Sequence, residues 1–317
     1  MPSPARNVYA SPGRAGGTLI RQVIRTFKQE RVTLPLQGRV LIAVSGGVDS
    51  MALAHLLSRY GRKIVAPGQI TLLHLDHGWR PESASEEPET VRQLSVSLNV
   101  GFLGQRLPAP KGKGLESRNL EEDARLKRQR VYRSLAGAGK PYSMVLTAHH
   151  RDDQAETVLF RFLRGELLEL GGGILFQDGN SLRPFLQVSK SQIRAYAAEE
   201  GLDCHEDPTN ADPRRFRAWA RGRVFPLLEE HFPAVRDVLA KYPERLVARS
   251  GGGMLQSVKL GVELAIGRPL GRAQVEELRA QLSGVARRRA LSLPGGVRLR
   301  PVKQGYLIEN LDLRDQG

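Results

Sequence analysis

The chain has a single cysteine, Cys204, in 317 residues. One thiol excludes an intrachain disulfide framework and any metal centre built from two or four cysteines of one chain. Long apolar runs are missing as well. The N-terminus lacks the apolar core of a secretory signal, and no stretch approaches membrane-spanning length. The expectation is a cytoplasmic protein with no membrane partner. Acidic residues are scarce: 33 Asp and Glu stand against 48 Lys and Arg, a formal net charge of +15. The imbalance is uneven, since residues 214–317 hold 20 basic and 10 acidic side chains, and residues 1–213 hold 28 and 23. A basic tail behind a less basic body points to a polyanionic partner, most simply nucleic acid; a solvated basic face is the plainer alternative. At 40% hydrophobic and 26% charged the composition is otherwise that of a globular protein, long enough for two domains. There is no internal repeat.

Two familiar phosphate signatures are also absent. No Gly-Lys-Ser/Thr follows a glycine to make a Walker A loop, and the spaced glycines of a dinucleotide fingerprint do not occur at the first strand. In their place stands Ser45-Gly46-Gly47-Val48-Asp49-Ser50. The apolar run Val40–Val44 before it reads as a buried strand, and Met51–Leu57 after it reads as a helix stopped at Gly61. Such a turn aims backbone N–H groups and the positive end of a helix dipole at one spot, which suits a phosphate. Gly46 and Gly47 allow close approach and a positive φ. Asp49 is either a helix cap or the contact for a Mg²⁺ between the loop and the phosphates.

The rest of the chain alternates strands and helices. Residues 1–17 read as loose, and Leu19, Ile20, Val23, Ile24 and Phe27 recur at helical spacing. Ile70–Leu75 is a second strand, ending at Asp76-His77-Gly78; a helix is expected after Ser83, with Glu86 completing a capping box. Val100–Leu107 is a third strand, 108–118 a basic loop, and Asn119 the cap of a helix to Leu135. Ser143–Ala148 is a fourth strand; Asp152 or Asp153 starts a helix to Leu163. Ser189 and Gln192 form a capping box opening a helix to Glu200, stopped by Gly201. Helices are expected near 214–230, 233–248 and 272–282. Arg289–Leu293 and Val297–Glu309 alternate around glycine turns as a small β-meander. The pattern predicts an α/β fold: a parallel sheet with helices on both faces, then a smaller, basic, mainly helical C-terminal domain ending in that meander. The expected division is a flexible 1–17, a nucleotide-binding domain 18–213 and a basic domain 214–317. Ligands of such sheets bind at strand carboxyl ends, so Ser45, Asp76 and His149 should converge.

The six-residue string resembles the PP-loop of the ATP pyrophosphatases. Further strings make the resemblance narrower: DHGWRPES (76–83), NLEEDAR (119–125), TAHHRDDQAETVLFRFLRG (147–165), RPFLQVSKSQIRAYAAEEGL (183–202) and EDPTNADPR (206–214). Together they resemble the tRNA(Ile)-lysidine synthetases over most of residues 40–230. The resemblance implies an ATP-dependent ligase. A cytosine at the wobble position of the CAU anticodon of tRNA(Ile) is adenylated with release of pyrophosphate. The amine of free L-lysine then displaces AMP.

It also implies roles. Ser45, Gly46, Gly47, Val48, Asp49, Ser50 and Asp76 would bind ATP, with Asp49 on Mg²⁺. His149 would donate to the α-phosphate or leaving oxygen, with His150 less clearly involved. Arg125 or Arg128, on one helix face, would reach phosphate or simply lie in solvent. Asp153 and Glu156, also i and i+3, would hold the lysine ammonium groups, hold Mg²⁺, or lie on an exposed face. Arg214, Arg217, Arg221, Arg287 and Arg288 would contact tRNA, and Trp219 would stack or pack. Two departures from the family pattern touch this last group and the loop before it: Ala218 stands where an Asn is usual, and Glu166-Leu167 follow Arg164-Gly165. The chain is short for the family, giving an expectation of one compact C-terminal domain; a homodimer is allowed for. A PP-loop tRNA thiolase is the near alternative, disfavoured by the single cysteine. An amide-forming enzyme on a small metabolite leaves the basic tail unexplained, and a silent RNA-binding relative leaves the complete loop unexplained.

Overall fold

The computed structural model describes residues 11–34, 36–66, 68–76, 86–108, 117–164, 173–204, 215–250, 275–276, 291–293, 297–302 and 305–310. The expectations for Ser83, His77, Glu166, Leu167, Arg214, Arg287, Arg288 and most of the helix at 272–282 fall outside them.

Six strands make one sheet: β1 (Val40–Ala43), β2 (Ile70–Asp76), β3 (Gly101–Arg106), β4 (Met144–Leu146), β5 (Gln177–Asp178) and β6 (Ser181–Leu182). Their order is β3-β2-β1-β4-β6-β5. All neighbours are parallel except the β5–β6 hairpin at the edge. The apolar-rich central strands β1 and β2 are buried along nearly their whole length, as parallel strands covered on both faces are. Alternation then sorts their side chains. Val40, Ile42, Ile70, Leu72, Leu146 and Leu182 join one core with α1 (Arg14–Gln29), α2 (Val48–Tyr60) and α6 (Lys190–Glu200). Leu41, Leu73, Leu75 and Val145 join a second core on the other face, against α4 (Ser117–Leu135). The expected parallel sheet with helices on both faces is what forms. Each fully buried Leu, Ile or Phe contributes about 1.5–3 kcal/mol, so these two cores set the sheet's position.

Local chemistry sets the helix ends, sometimes differently from expectation. α1 begins at Arg14, inside the stretch expected to be loose, because the Glu199 carboxylate of α6 accepts the Ala15 and Gly16 N–H groups at 2.9 and 3.0 Å. Its apolar stripe, Leu19, Ile20, Val23 and Phe27, is buried as predicted. α3 (Glu86–Leu98) follows β2. α4 starts at Ser117, so Asn119 lies within the helix and is not its cap. α6 has the predicted capping box between Ser189 and Gln192, and Gly201 ends it at φ 62°.

The chain divides into two compact units, Met1–Glu156 with Ile174–Arg236, and Thr157–Gly173 with Asp237–Gly317. Residues 215–236 therefore belong with the sheet, although a boundary was expected at 213/214. They form α7 (Phe216–Trp219), a π-helical turn (Ala220–Val224) and α8 (Phe225–His231) in continuous succession. The second unit contains most of α9 (Val235–Ser250) and the antiparallel meander β7 (Leu291–Leu293), β8 (Val297–Val302) and β9 (Gly305–Asn310).

Candidate active site

The strand order reverses between β1 and β4, since β2 and β3 lie to one side and β6 and β5 to the other. A parallel sheet opens a crevice at the carboxyl ends of its strands at such a reversal. Two segments leave the sheet there, 44–50 after β1 and 147–153 after β4.

The first segment is a cradle. Gly46 takes φ 88°, a left-handed conformation that a side chain resists. Gly47 is the N-cap of α2 and offers no side chain to accept the first-turn N–H groups. Those N–H groups and the helix dipole face the crevice, the arrangement that takes a phosphate. The serines brace the loop. Ser50 Oγ donates to the Gly47 carbonyl at 2.9 Å and accepts the Ser45 N–H at 3.1 Å, while the two hydroxyls lie 3.2 Å apart. The buried His74 ring nitrogen Nδ1 lies 3.0 Å from the Val44 carbonyl and holds the loop's entry. Nothing in the sequence marked His74, because a strand residue's orientation is fixed only by register.

Asp49 is the second residue of α2, and the N-cap position expected of it is held by Gly47. Both of its carboxylate oxygens accept from Lys190 Nζ at 2.6 Å, and His150 Nε2 lies 3.6 Å from Oδ2. Burial acts to raise its pKa, but His150 and Lys190 outweigh it and hold the carboxyl below its usual value. Lys190 was not anticipated as a site residue. The cue available was its place at the start of a helix after a capping serine, a position that aims its side chain back toward the sheet's crevice.

The second segment is a helix entry of unusual composition. His150 caps α5 (Arg151–Leu163) reciprocally: its N–H donates to Asp153 Oδ2 at 3.0 Å, and its Nδ1 accepts the Asp153 N–H at 3.3 Å. Asp152 accepts the Lys190 N–H at 2.9 Å with the Oδ2 that lies 3.8 Å from His150 Nδ1, so it ties the start of α6 to the start of α5. Asp153 and Glu156 are both buried, Glu156 to 1% exposure. They are not an exposed face. They share Arg221, which donates Nε–H to Glu156 Oε1 and Nη2–H to Glu156 Oε2 and Asp153 Oδ1, each at 3.0 Å for the latter two.

Burial raises the Glu156 carboxyl despite Arg221. Asp153 is also pushed up by burial, yet the two histidines, Arg217 and the His150 N–H hold it below its usual value. Burial lowers His150, but Asp49 and Asp153 outweigh it and raise this imidazole. Ionisable groups thus follow one another along one line: Lys190, Asp49, His150, Asp153, Arg221, Glu156. The line joins the phosphate cradle to the buried carboxylate pair, and His150 is its middle link.

His149 differs from its neighbour. Its Nδ1 lies 3.0 Å from Thr147 Oγ1. Burial, with the charges of Arg183, Arg217 and Arg128, lowers it to about 4 against the pull of Asp153, so it is neutral at pH 7. A neutral imidazole here is a hydrogen-bond donor or acceptor, not a cation. Of the two arginines expected on α4, Arg128 is the one whose charge reaches His149; Arg125 is exposed. Arg183, from the RPFL string, was not singled out from sequence; its Nη1 donates to the Leu175 carbonyl at 2.6 Å.

Asp76 ends β2 beside β1 as expected, and its carboxylate pairs with Arg106 of β3 at 3.5 Å. Arg217 is exposed on α7, and Trp219 is 40% exposed with its ring 5.8 Å from that of Phe216. Among the described residues there is no group of three His, Cys, Asp or Glu side chains that would hold a metal ion by themselves. A hard divalent cation fits the donor set only with one protein carboxylate, Asp49, and phosphate oxygens from a ligand, the usual way Mg²⁺ is held beside a nucleotide. No helix among the described residues is long and apolar enough to cross a membrane.

Known proteins resemble this chain in sequence and in fold. The chain is 38% identical over 232 residues to a tRNA(Ile)-lysidine synthase of Thermus thermophilus, covering 72% of this chain and 43% of that protein. It is 39% identical over 219 residues to the tRNA(Ile)-lysidine synthase of Deinococcus radiodurans, covering 68% and 36%. The chain therefore spans less than half the length of these relatives. Among solved structures, the U34-tRNA thiolase NcsA of Methanococcus maripaludis superposes with a TM-score of 0.59 at 15% identity, covering 74% of this chain and 80% of that one, a likeness of fold. The PP-loop domain model matches residues 18–228, more than half of the sequence, and by that match the chain belongs to the PP-loop family.

Proposed function

We propose that the chain is a tRNA(Ile)-lysidine synthase, a ligase that uses ATP to join free L-lysine to C2 of the wobble cytidine in the CAU anticodon of tRNA(Ile), in the cytoplasm. The observation that carries the reading is the line of ionisable groups from the loop to Asp153 and Glu156: it joins a loop suited to phosphate to two buried carboxylates suited to a cationic amine. The relatives' names and the PP-loop match support the same reaction.

In this reading the loop's N–H groups and the α2 dipole hold the pyrophosphate portion of ATP. The cytosine carbonyl oxygen attacks the α-phosphate and pyrophosphate leaves. His149, being neutral, donates a hydrogen bond to the phosphoryl oxygens as charge builds on them. Lys190 is close enough to Asp49 to share the pyrophosphate charge. A Mg²⁺ held by Asp49 and the phosphates would add charge neutralisation at the same point. Asp153 and Glu156 hold the lysine ammonium groups. The attacking amine must first lose a proton, and the raised Glu156 carboxyl is a fitting acceptor for it. The amine then bonds to C2 and AMP departs. Arg217 and the arginines of the basic tail, including Arg214, Arg287 and Arg288, contribute phosphate contacts that position the RNA without choosing its sequence.

The test is nucleoside mass analysis of tRNA(Ile) after incubation with the protein, ATP and L-lysine. A cytidine heavier by one lysine residue at the wobble site alone, with matching pyrophosphate release, is the expected result. RNA binding without ATP consumption would leave the silent relative as the better reading.

A further inference from the structure

We infer that Arg221 is a built-in cation that closes the Asp153–Glu156 acceptor to free amines until an RNA phosphate draws it away, so that RNA engages before the amine is seated. The inference rests on the reading of Asp153 and Glu156 as the lysine acceptor, and deepens it.

The acceptor is full as it stands. One guanidinium satisfies both oxygens of Glu156 and one of Asp153. A planar fork held by two carboxylates is the strongest geometry such a pair can adopt. An ammonium arriving beside it would meet a like charge at contact distance. Glu156 has no side-chain exposure, so its charge cannot turn to water if Arg221 leaves; Arg221, at 40%, can. The two carboxylates therefore exchange one cation for another and are not left empty.

The segment that carries Arg221 is suited to such an exchange. Arg221 lies in the π-helical turn Ala220–Val224, between α7 and α8. Single π turns are the less stable form of helix and collect at functional positions. Arg217, one turn earlier and exposed, extends the same positive face, and its charge already acts on His149, Asp153 and Glu156. A phosphate approaching this face finds two guanidinium groups. Taking Arg221 by a bidentate contact frees the carboxylates at the moment the reactive base is delivered, so an anion outside and a cation inside enter as a pair and the buried charge stays balanced. The same exchange explains how an arginine expected to touch RNA is found on the amine acceptor.

The experiment is calorimetric titration of L-lysine into the full chain, with and without a tRNA(Ile) transcript bearing the CAU anticodon, and without ATP so that nothing turns over. In the wild type the transcript should tighten lysine binding by about tenfold or more, the usual range of coupling between sites. Arg221→Ala should bind lysine without RNA as tightly as the wild type does with it, and RNA should add nothing. Lysine binding to Arg221→Ala no tighter than to the wild type without RNA, or an undiminished RNA effect in the variant, overturns the inference. If Arg221→Ala does not fold, Arg221→Gln keeps the aliphatic stem and a polar end without the charge and carries the same expectations. The wild type also tests the idea alone: lysine must strengthen RNA binding by the same factor, and a missing mutual effect overturns it. Glu156→Gln separates the two readings. Lysine binding with RNA that survives Glu156→Gln unchanged removes the acceptor itself; binding lost in Glu156→Gln but indifferent to Arg221 removes only the gate.

Discussion

Removing Arg221 and removing the charge of Glu156 break the same ion pair, yet the structure says they should not cost the same. Glu156 has a side-chain exposure of 0% and Arg221 one of 40%. Arg221→Ala strands a carboxylate with no water to solvate it, a change that costs about 3–5 kcal/mol for a buried pair. The partial exposure of Arg221 places the expected loss near the lower end, about 3 kcal/mol. Glu156→Gln leaves Arg221 with Asp153 at 3.0 Å and with solvent, so about 1 kcal/mol is expected. In thermal denaturation these become losses of about 6–12 °C and about 2–4 °C. The double variant should be more stable than Arg221→Ala alone, because the stranded charge is gone. The pH dependence adds an independent sign. Burial raises the Glu156 carboxyl above 4.5, and without Arg221 its principal opponent is missing. The folded state then binds this proton more tightly than the unfolded chain, so stability falls as pH rises through that window. The deficit of Arg221→Ala relative to wild type should be smaller at about pH 5 than at about pH 8. Equal losses for the two single variants, or a deficit that widens on acidification, would refute the reasoning.

Gly46→Ala should weaken ATP binding by about tenfold with little change in melting temperature, because only the loop must leave its left-handed φ of 88°; equilibrium nucleotide binding measures it. Asp49→Ala should abolish pyrophosphate release while tRNA binding persists, read by a turnover assay beside a filter-binding isotherm; wild-type turnover would remove Asp49 from the chemistry. His149 is lowered to about 4 from 6.5, so between those values the unfolded chain is the better proton binder and stability falls as pH falls. His149→Gln should flatten the decline in urea midpoint over that interval. Ser189→Ala removes the α6 capping box and should cost about 1 kcal/mol in chemical denaturation.

Much of this molecule is legible along the chain because its signals are local. The capping box at Ser189, the helix stop at Gly201 and the strand–loop–helix unit around Ser45 depend on neighbours within a few residues, and each is found where the sequence put it. The missed helix start at Arg14 has the opposite cause. Its N-terminal N–H groups are capped by Glu199, a partner 183 and 184 residues away, which no local pattern encodes. The same holds for residues 215–236, whose basic composition resembles the tail while their contacts belong to the sheet.

The site divides along that line as well. Sequence alone determined that the chain carries a glycine-bearing strand-to-helix turn, a His-His entry to a helix and two carboxylates one turn apart, since strings of consecutive residues specify each of them. Tertiary structure alone decided that Lys190 closes on Asp49, that His150 and not His149 is the bridging imidazole, and that Arg221 lies on Asp153 and Glu156. Charge pairing between segments far apart in the chain depends on which strand ends lie side by side and which side chains lose their water there, and both follow from the packed sheet.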